Sequence, residues 1–248
     1  MKTLRLTLRL LAIVGGLLFC LPLHYGWKLV RRPSPWPRRF LGWVGRAAGL
    51  KVTTTGAPLG REVLFVANHS SWLDIMILAG ATGTAFVSRD DVGRWPVIGW
   101  LAGLNNTVYV DRSNVRGVQE QADTLRAALS TGQPVALFPE GTTDGGTQVL
   151  PFRASLLAAL FPPMPGLQVQ PVAIDYGAAG PDIAWTGEEG AGANARRVLS
   201  RKGTARVVLH FLPPLDPTAL GGRKALAQAA EGAIIGALGP SASPPDRL

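Results

Sequence analysis

Short apolar runs alternating with helical stretches predict an α/β protein: a largely parallel or mixed sheet flanked by helices, with an N-terminal helical membrane-associated segment. Three observations carry this expectation. Beyond Leu50 strand-like and helix-like segments alternate, the excess charge lies before Leu50, and the chemically capable side chains fall where strands end. Sheets of this class place their sites at the carboxyl ends of strands.

The N-terminal segment comes first. Residues 1–50 carry nine cations (Lys2, Arg5, Arg9, Lys28, Arg31, Arg32, Arg38, Arg39 and Arg46) and no acid, whereas residues 51–248 hold 16 of each sign, so the net charge of +9 belongs to the first fifth. Its apolar run, 10–23, is flanked by bases on both sides. Runs of about 10–14 apolar residues suit a re-entrant or interfacial segment, and about 18 cross a thinned bilayer. No small-x-small cleavage site follows, and Phe19 before Cys20 fits a lipoprotein box poorly, which argues against a signal peptide. Trp36, Phe40, Trp43, Val44 and Ala47 share one helical face, with Arg38, Arg39 and Arg46 away from it, the pattern of a basic helix on an anionic bilayer. The adjoining apolar run favours membrane lipids over nucleic acid as the partner of these bases. The lone cysteine, Cys20, permits no intramolecular disulfide. These features divide the chain into a membrane anchor (1–50), an α/β domain (51–239) and a disordered tail (240–248).

Strands are expected at 62–67, 84–88, 107–110, 134–138, 169–174 and 205–211. Helices are expected at 72–78, 95–104, 115–129 and 152–161, with a last one near 218–238. The Gly-, Ala- and charge-rich stretch 177–203 reads as an excursion or mobile loop.

Between the first strand and helix runs NHSSWLD, residues 68–74. Inside a regular helix, His69 and Asp74 would stand about 140° apart. They meet only if His69 lies on the strand-to-helix turn and Asp74 on the first helical turn, with Ser70 or Ser71 as cap. An imidazole oriented by a carboxylate is a general base for a hydroxyl. The same residues also read as a capping carboxylate and a loop histidine. Further strand ends carry VYVDR, where Arg112 can pair with Asp111 or grip a phosphate, and FPEGT, where Gly141 admits a ligand or simply makes a turn. Thr142 and Thr143 can donate hydrogen bonds there. QPVA is weaker, since Pro in a strand marks a start or an edge.

In order and spacing, NHSSWLD, VYVDR, FPEGT and QPVA make about residues 60–175 similar to the lysophospholipid acyltransferases of the glycerolphosphate acyltransferase superfamily, especially the bacterial 1-acylglycerol-3-phosphate acyltransferases. The resemblance implies catalytic roles for His69 and Asp74 and acceptor binding by Arg112, Glu140 and Gly141, with Thr142, Arg89 and Arg153 beside them. Many relatives have Lys where Arg89 and Arg153 stand, and Gly where Asn106 stands. Exchanging an ammonium for a planar guanidinium leaves the acceptor headgroup less defined than the reaction.

The implied reaction is direct acyl transfer from acyl-CoA or an acyl carrier protein to a lysophospholipid hydroxyl, lysophosphatidic acid first and a lyso-ornithine or other lyso-aminolipid second. Amides at the start of the helix after Ser70 are candidate oxyanion donors. A lipase or transacylase, or a silent membrane-binding protein, are the rivals from other classes. No cofactor or metal is expected: there is no GxxxxGK[ST] loop, and three histidines with one cysteine make no persuasive ligand set. Thioester donors imply an inner-membrane protein whose catalytic domain faces the cytoplasm.

Overall fold

The computed structural model describes the chain except residues 90–92, 94–95, 111–117, 144, 188, 240–241 and 243–248. A seven-stranded mixed sheet forms its centre, with β1 (Leu50–Thr55), β2 (Val63–Ala67), β3 (Ala85–Arg89), β4 (Val108–Val110), β5 (Val135–Leu137), β6 (Gln168–Asp175) and β7 (Ala205–Phe211) in the order β1-β7-β6-β2-β5-β3-β4. Every neighbouring pair is parallel except β6 with β7. The α/β expectation holds, and the six expected strands each occur within one or two residues of their predicted bounds.

The centre of the sheet follows from β2, whose five residues are all apolar and buried. Successive side chains alternate between faces, so Leu64 and Val66 join one core while Val63, Phe65 and Ala67 join the other. Helices α5 (Val118–Ser130) and α8 (Arg223–Leu238), with a 3₁₀ segment at Ala154–Leu160, cover the first face through Leu125, Leu129, Leu157, Leu160, Leu226 and Ile234. Helices α3 (Trp72–Thr82) and α7 (Ala191–Ser200) cover the second through Leu73, Ile77, Val198 and Leu199. Two further helices are α4 (Pro96–Leu104) and α6 (Gly180–Ile183). Asn106, where Gly was expected in relatives, takes a left-handed conformation at φ 56, which Asn tolerates.

Two expectations need correction. The stretch 177–203 is not simply a loop: it holds α7, which presents Val198 and Leu199 to the core and buries Asn194 completely. Strand β1 was not foreseen. Its residues Lys51 and Thr53–Thr55 are exposed, and it becomes a strand by pairing in parallel with β7, a segment more than 150 residues away.

The N-terminal fifth forms two helices, α1 (Lys2–Leu29) and α2 (Trp36–Ala47), that run antiparallel. Gly16 lets the Trp43 ring lie directly on α1, and the Trp43 indole N–H donates to the Ala12 carbonyl at 2.8 Å. Near the turn His24 Nδ1 meets Ser34 Oγ at 2.9 Å. Most of the apolar face of α2 is therefore occupied by protein, with Trp43 left 43% exposed. Phe40 and Val44 are buried with Cys20, Ile13 and Leu17 of α1, and Gly42 crosses Gly80 of α3 at backbone contact. Arg5 and Arg9 of α1 donate to the carbonyls of Val198, Leu199, Ser200 and Gly203, where the C-terminal end of the α7 dipole favours cations. Uncovered apolar surface belongs instead to α1, along Leu4, Leu8, Leu11, Val14 and Leu18.

A Cβ at Gly80 would lie 2.5 Å from the Gly42 Cα, so Gly80→Val forces α2 away from α3. Overpacking of this kind costs about 1–3 kcal/mol, and denaturant unfolding of the detergent-solubilised protein should show a lower midpoint by that amount.

Candidate active site

Three adjacent parallel strands deliver one residue each to a single place: His69 follows β2, Glu140 follows β5, and Tyr176 follows β6. Asn68 fixes the first of these. Its side-chain amide donates to the Ile174 carbonyl at 3.1 Å, and its Oδ1 accepts from the Ile174 amide at 2.8 Å, which locks the turn onto β6 just past the last regular pair.

The turn then enters α3. Ser71 is the N-cap in an extended conformation, its Oγ accepts from the Leu73 amide, and Asp74 at the third helical position closes a capping box. Both sequence readings of Asp74 are thus realised in one carboxylate. Its Oδ2 accepts from the Ser70 amide (2.7 Å), the Ser71 amide (2.8 Å) and His69 Nδ1 (2.9 Å), and its Oδ1 accepts from the Tyr176 hydroxyl (2.6 Å). Asp74 has no exposed surface. Four donors and the helix N-terminus offset the cost of burying that charge.

His69 stacks on Phe138, ring centroids 4.1 Å apart and planes within 14°, and Phe138 stacks in turn on Phe86. Its side chain keeps 17% exposure. With Nδ1–H donated to Asp74, Nε2 is the nitrogen left to accept a proton. Burial and the Asp74 charge push the Tyr176 phenol well above its ordinary value, so it remains a neutral donor.

Glu140 stands beneath the histidine. It is 2% exposed, and its Oε1 accepts from the His69 backbone amide at 2.9 Å, a contact that holds the histidine's main chain. Gly141 follows in a left-handed turn (φ 76) with its amide on the Phe138 carbonyl. Thr142 is exposed, and Arg153 is exposed with its amide on the Pro139 carbonyl, which places both at the rim of this turn. Arg89 ends β3 in register with Val110 of β4, its side chain outside the described part. Arg112 lies outside the described residues.

Most of the candidate oxyanion donors at the start of α3 are engaged within the turn. The amides of Ser70 and Ser71 serve Asp74, that of Leu73 serves Ser71 Oγ, and that of Asp74 serves the Ser71 carbonyl. A further wall comes from the supposed loop. Trp185 N–H donates to the Ser70 carbonyl at 2.8 Å, Thr143 Oγ1 donates to the Trp185 carbonyl, and Asn194 of α7 accepts from the Trp72 indole at 3.1 Å. A cavity of about 280 Å³ lies beside this wall, lined by Thr143, Thr147, Gln148 and Thr186 among others. Among the described residues no three His, Cys, Asp or Glu side chains converge as a metal set.

The acyltransferase family model matches residues 49–175, which contain β2, the turn, β5 and β6. The chain belongs to the acyltransferase family. It is 37% identical to the lyso-ornithine lipid O-acyltransferase of Rhodobacter capsulatus, covering 95% of this chain and 90% of that one. It is 32% identical to the 1-acyl-sn-glycerol-3-phosphate acyltransferase of Neisseria gonorrhoeae, covering 52% of this chain and 49% of that one. The crystal structure of the 1-acyl-sn-glycerophosphate (LPA) acyltransferase PlsC from Thermotoga maritima shares the fold with TM-score 0.65 and 24% identity, over 95% of this chain and 96% of that one. This acyltransferase accordingly carries NHSSWLD at the centre of its family region.

Tyr176 was not foreseen, because its link to Asp74 spans 102 residues and no local pattern marks it. Asn68 was visible within the motif but had no role without β6 beside it. In this acyltransferase, Asn68→Ala leaves the Ile174 amide and carbonyl without these partners, a loss of about 1–3 kcal/mol, to be read as a lower unfolding midpoint.

Proposed function

We propose that this acyltransferase transfers an acyl chain from acyl-CoA or an acyl carrier protein to the free hydroxyl of a lyso-lipid, with lyso-ornithine lipid as the acceptor. The observation that supports the acceptor is identity taken over the length matched: the lyso-ornithine enzyme of Rhodobacter capsulatus is 37% identical over 95% of the chain, whereas the 1-acylglycerol-3-phosphate enzymes are 32% identical over 52% of it in Neisseria gonorrhoeae and 26% identical over 83% of it in Limnanthes alba. The four sequence blocks put lysophosphatidic acid first because they report the reaction and not the headgroup. Lysophosphatidic acid remains the second reading, favoured by Arg112 if it grips a phosphate.

The chemistry rests on the His69–Asp74 pair. His69 Nε2 takes the acceptor proton as that oxygen attacks the thioester carbonyl, Asp74 steadies the imidazolium, and the proton passes to the departing thiolate as the tetrahedral adduct collapses. Glu140 holds the His69 backbone, and Phe138 holds its ring. The substrate-binding assignment of Arg89, Arg112, Glu140, Gly141, Thr142 and Arg153 belongs to this proposal.

We further propose that residues 1–50 hold the enzyme at the cytoplasmic face of the inner membrane. At 28 residues, α1 is about 42 Å long and apolar enough to cross a bilayer. A simple span would separate its ends, yet Arg5 and Arg9 bind α7 while α2 returns along α1 to α3. The exposed Leu4–Leu18 stripe therefore supports an interfacial or re-entrant placement better than a span.

Three experiments test these readings. His69→Ala should lower turnover roughly 10²- to 10⁴-fold in the folded, membrane-bound protein, and near wild-type turnover would end the base assignment. With labelled acyl thioester, lyso-ornithine lipid should be acylated faster than lysophosphatidic acid, and the reverse order restores the second reading. Because α1 and α2 complete the core, removing them would destabilise the body, so the membrane test uses the stripe itself. Leu11→Glu with Leu18→Glu should move the protein into the soluble fraction with its melting temperature retained.

A further inference from the structure

Asp74 Oδ2 takes three donors, but the bond from Cβ to the carboxylate is a terminal sp³–sp² torsion with a broad minimum, so those contacts tolerate a range of tilts. The donor on the opposite oxygen, Tyr176 OH at 2.6 Å, removes that freedom. Tyr176 itself is rigid. It is 5% exposed, packs in the core with Ile183 and Ile174, and stands two residues beyond the Asn68 clamp that fixes β6 to the turn. From this geometry we infer that Tyr176 is a positioning residue for the dyad: its hydroxyl holds the Asp74 carboxylate so that Oδ2 faces His69 Nδ1, and it shares in the carboxylate's charge. The inference rests on the reading of His69 as the base.

Among the described residues, the other carboxylates near the pair have partners of their own. Glu140, after β5, holds the His69 amide. Asp175, half out in solvent, accepts from the Gly177 amide and lies 3.9 Å from His210 of β7, and Glu189 is tied to Arg197 and Asn194 on the α7 side. None of them donates to Asp74 Oδ1.

Tyr176→Phe removes one oxygen and keeps the ring. In the full chain, assayed in micelles with lyso-ornithine lipid and an acyl thioester, kcat should fall about 10-fold, the scale of one charge-assisted hydrogen bond, with both KM values within about twofold. The acid limb of the kcat/KM profile should move to higher pH, because a carboxylate relieved of its phenol holds the imidazolium more tightly. In an Asp74→Ala background the same substitution should bring no further loss of residual turnover. Val207→Ala, in the β7 core, controls for stability loss alone and should leave kcat and the pH profile in place. Should Tyr176→Phe fold poorly, 3-fluorotyrosine at position 176 keeps the shape, strengthens the donor and should shift the acid limb to lower pH. Wild-type kcat and pH profile in Tyr176→Phe, beside an inactive His69→Ala, overturns this inference and leaves the dyad standing. A rise in KM matching the loss, or an equal loss without Asp74, overturns it too. An active His69→Ala overturns the base reading, and this inference with it.

Discussion

Asp74 carries a full charge with no exposed surface, and the turn around it is organised by its need for donors. Ser70 and Ser71 give it their amides, which sets the backbone that begins α3. His69 gives Nδ1, which sets the ring, and Tyr176 gives its hydroxyl, which ties the first strand-to-helix turn to the end of β6. The capping carboxylate and the histidine's partner are one group, so helix start and site geometry cannot vary independently.

The sheet order explains why those groups converge. β6, β2 and β5 are neighbours and parallel, so their carboxyl ends form one ledge on which Tyr176, His69 and Glu140 stand side by side. The antiparallel β7 lets the chain return past the site through α7. That passage buries Asn194, whose amide meets Trp72, Ala184 and Glu189 and so backs the loop that carries Trp185 to Ser70.

The N-terminal helices show how apolar surface is divided between protein and surroundings. On α2, Phe40 and Val44 pack with side chains of α1 and α3, and the close crossing of Gly42 on Gly80 needs position 80 without a Cβ. On α1 one side packs on α2 and the body, while the stripe from Leu4 to Leu18 stays open. The arginines divide similarly: Arg5 and Arg9 bind the end of α7, and Arg38 binds the Gly80 and Ala81 carbonyls at the end of α3.

Much of this was legible from residues alone. The β2, β6 and β7 segments are continuous or alternating apolar runs, whose burial is local to their own composition, and NHSSWLD announces its strand-to-helix turn through spacing that a helix cannot satisfy. Local composition cannot reveal partners that are distant in the chain. β1 is polar and exposed beyond Leu50 and Val52, and becomes a strand through β7; α7 is rich in Ala and Arg, and becomes a core helix through the sheet face it covers. The sequence by itself determined the α/β class, the placing of His69 and Asp74 about one strand-to-helix turn, and the apolar N-terminus. Only the tertiary structure decided that Glu140 lies under His69, that α2 turns its apolar face inward and that Tyr176 completes Asp74, because each of these is a contact whose energy appears only when separate strands or helices are packed together.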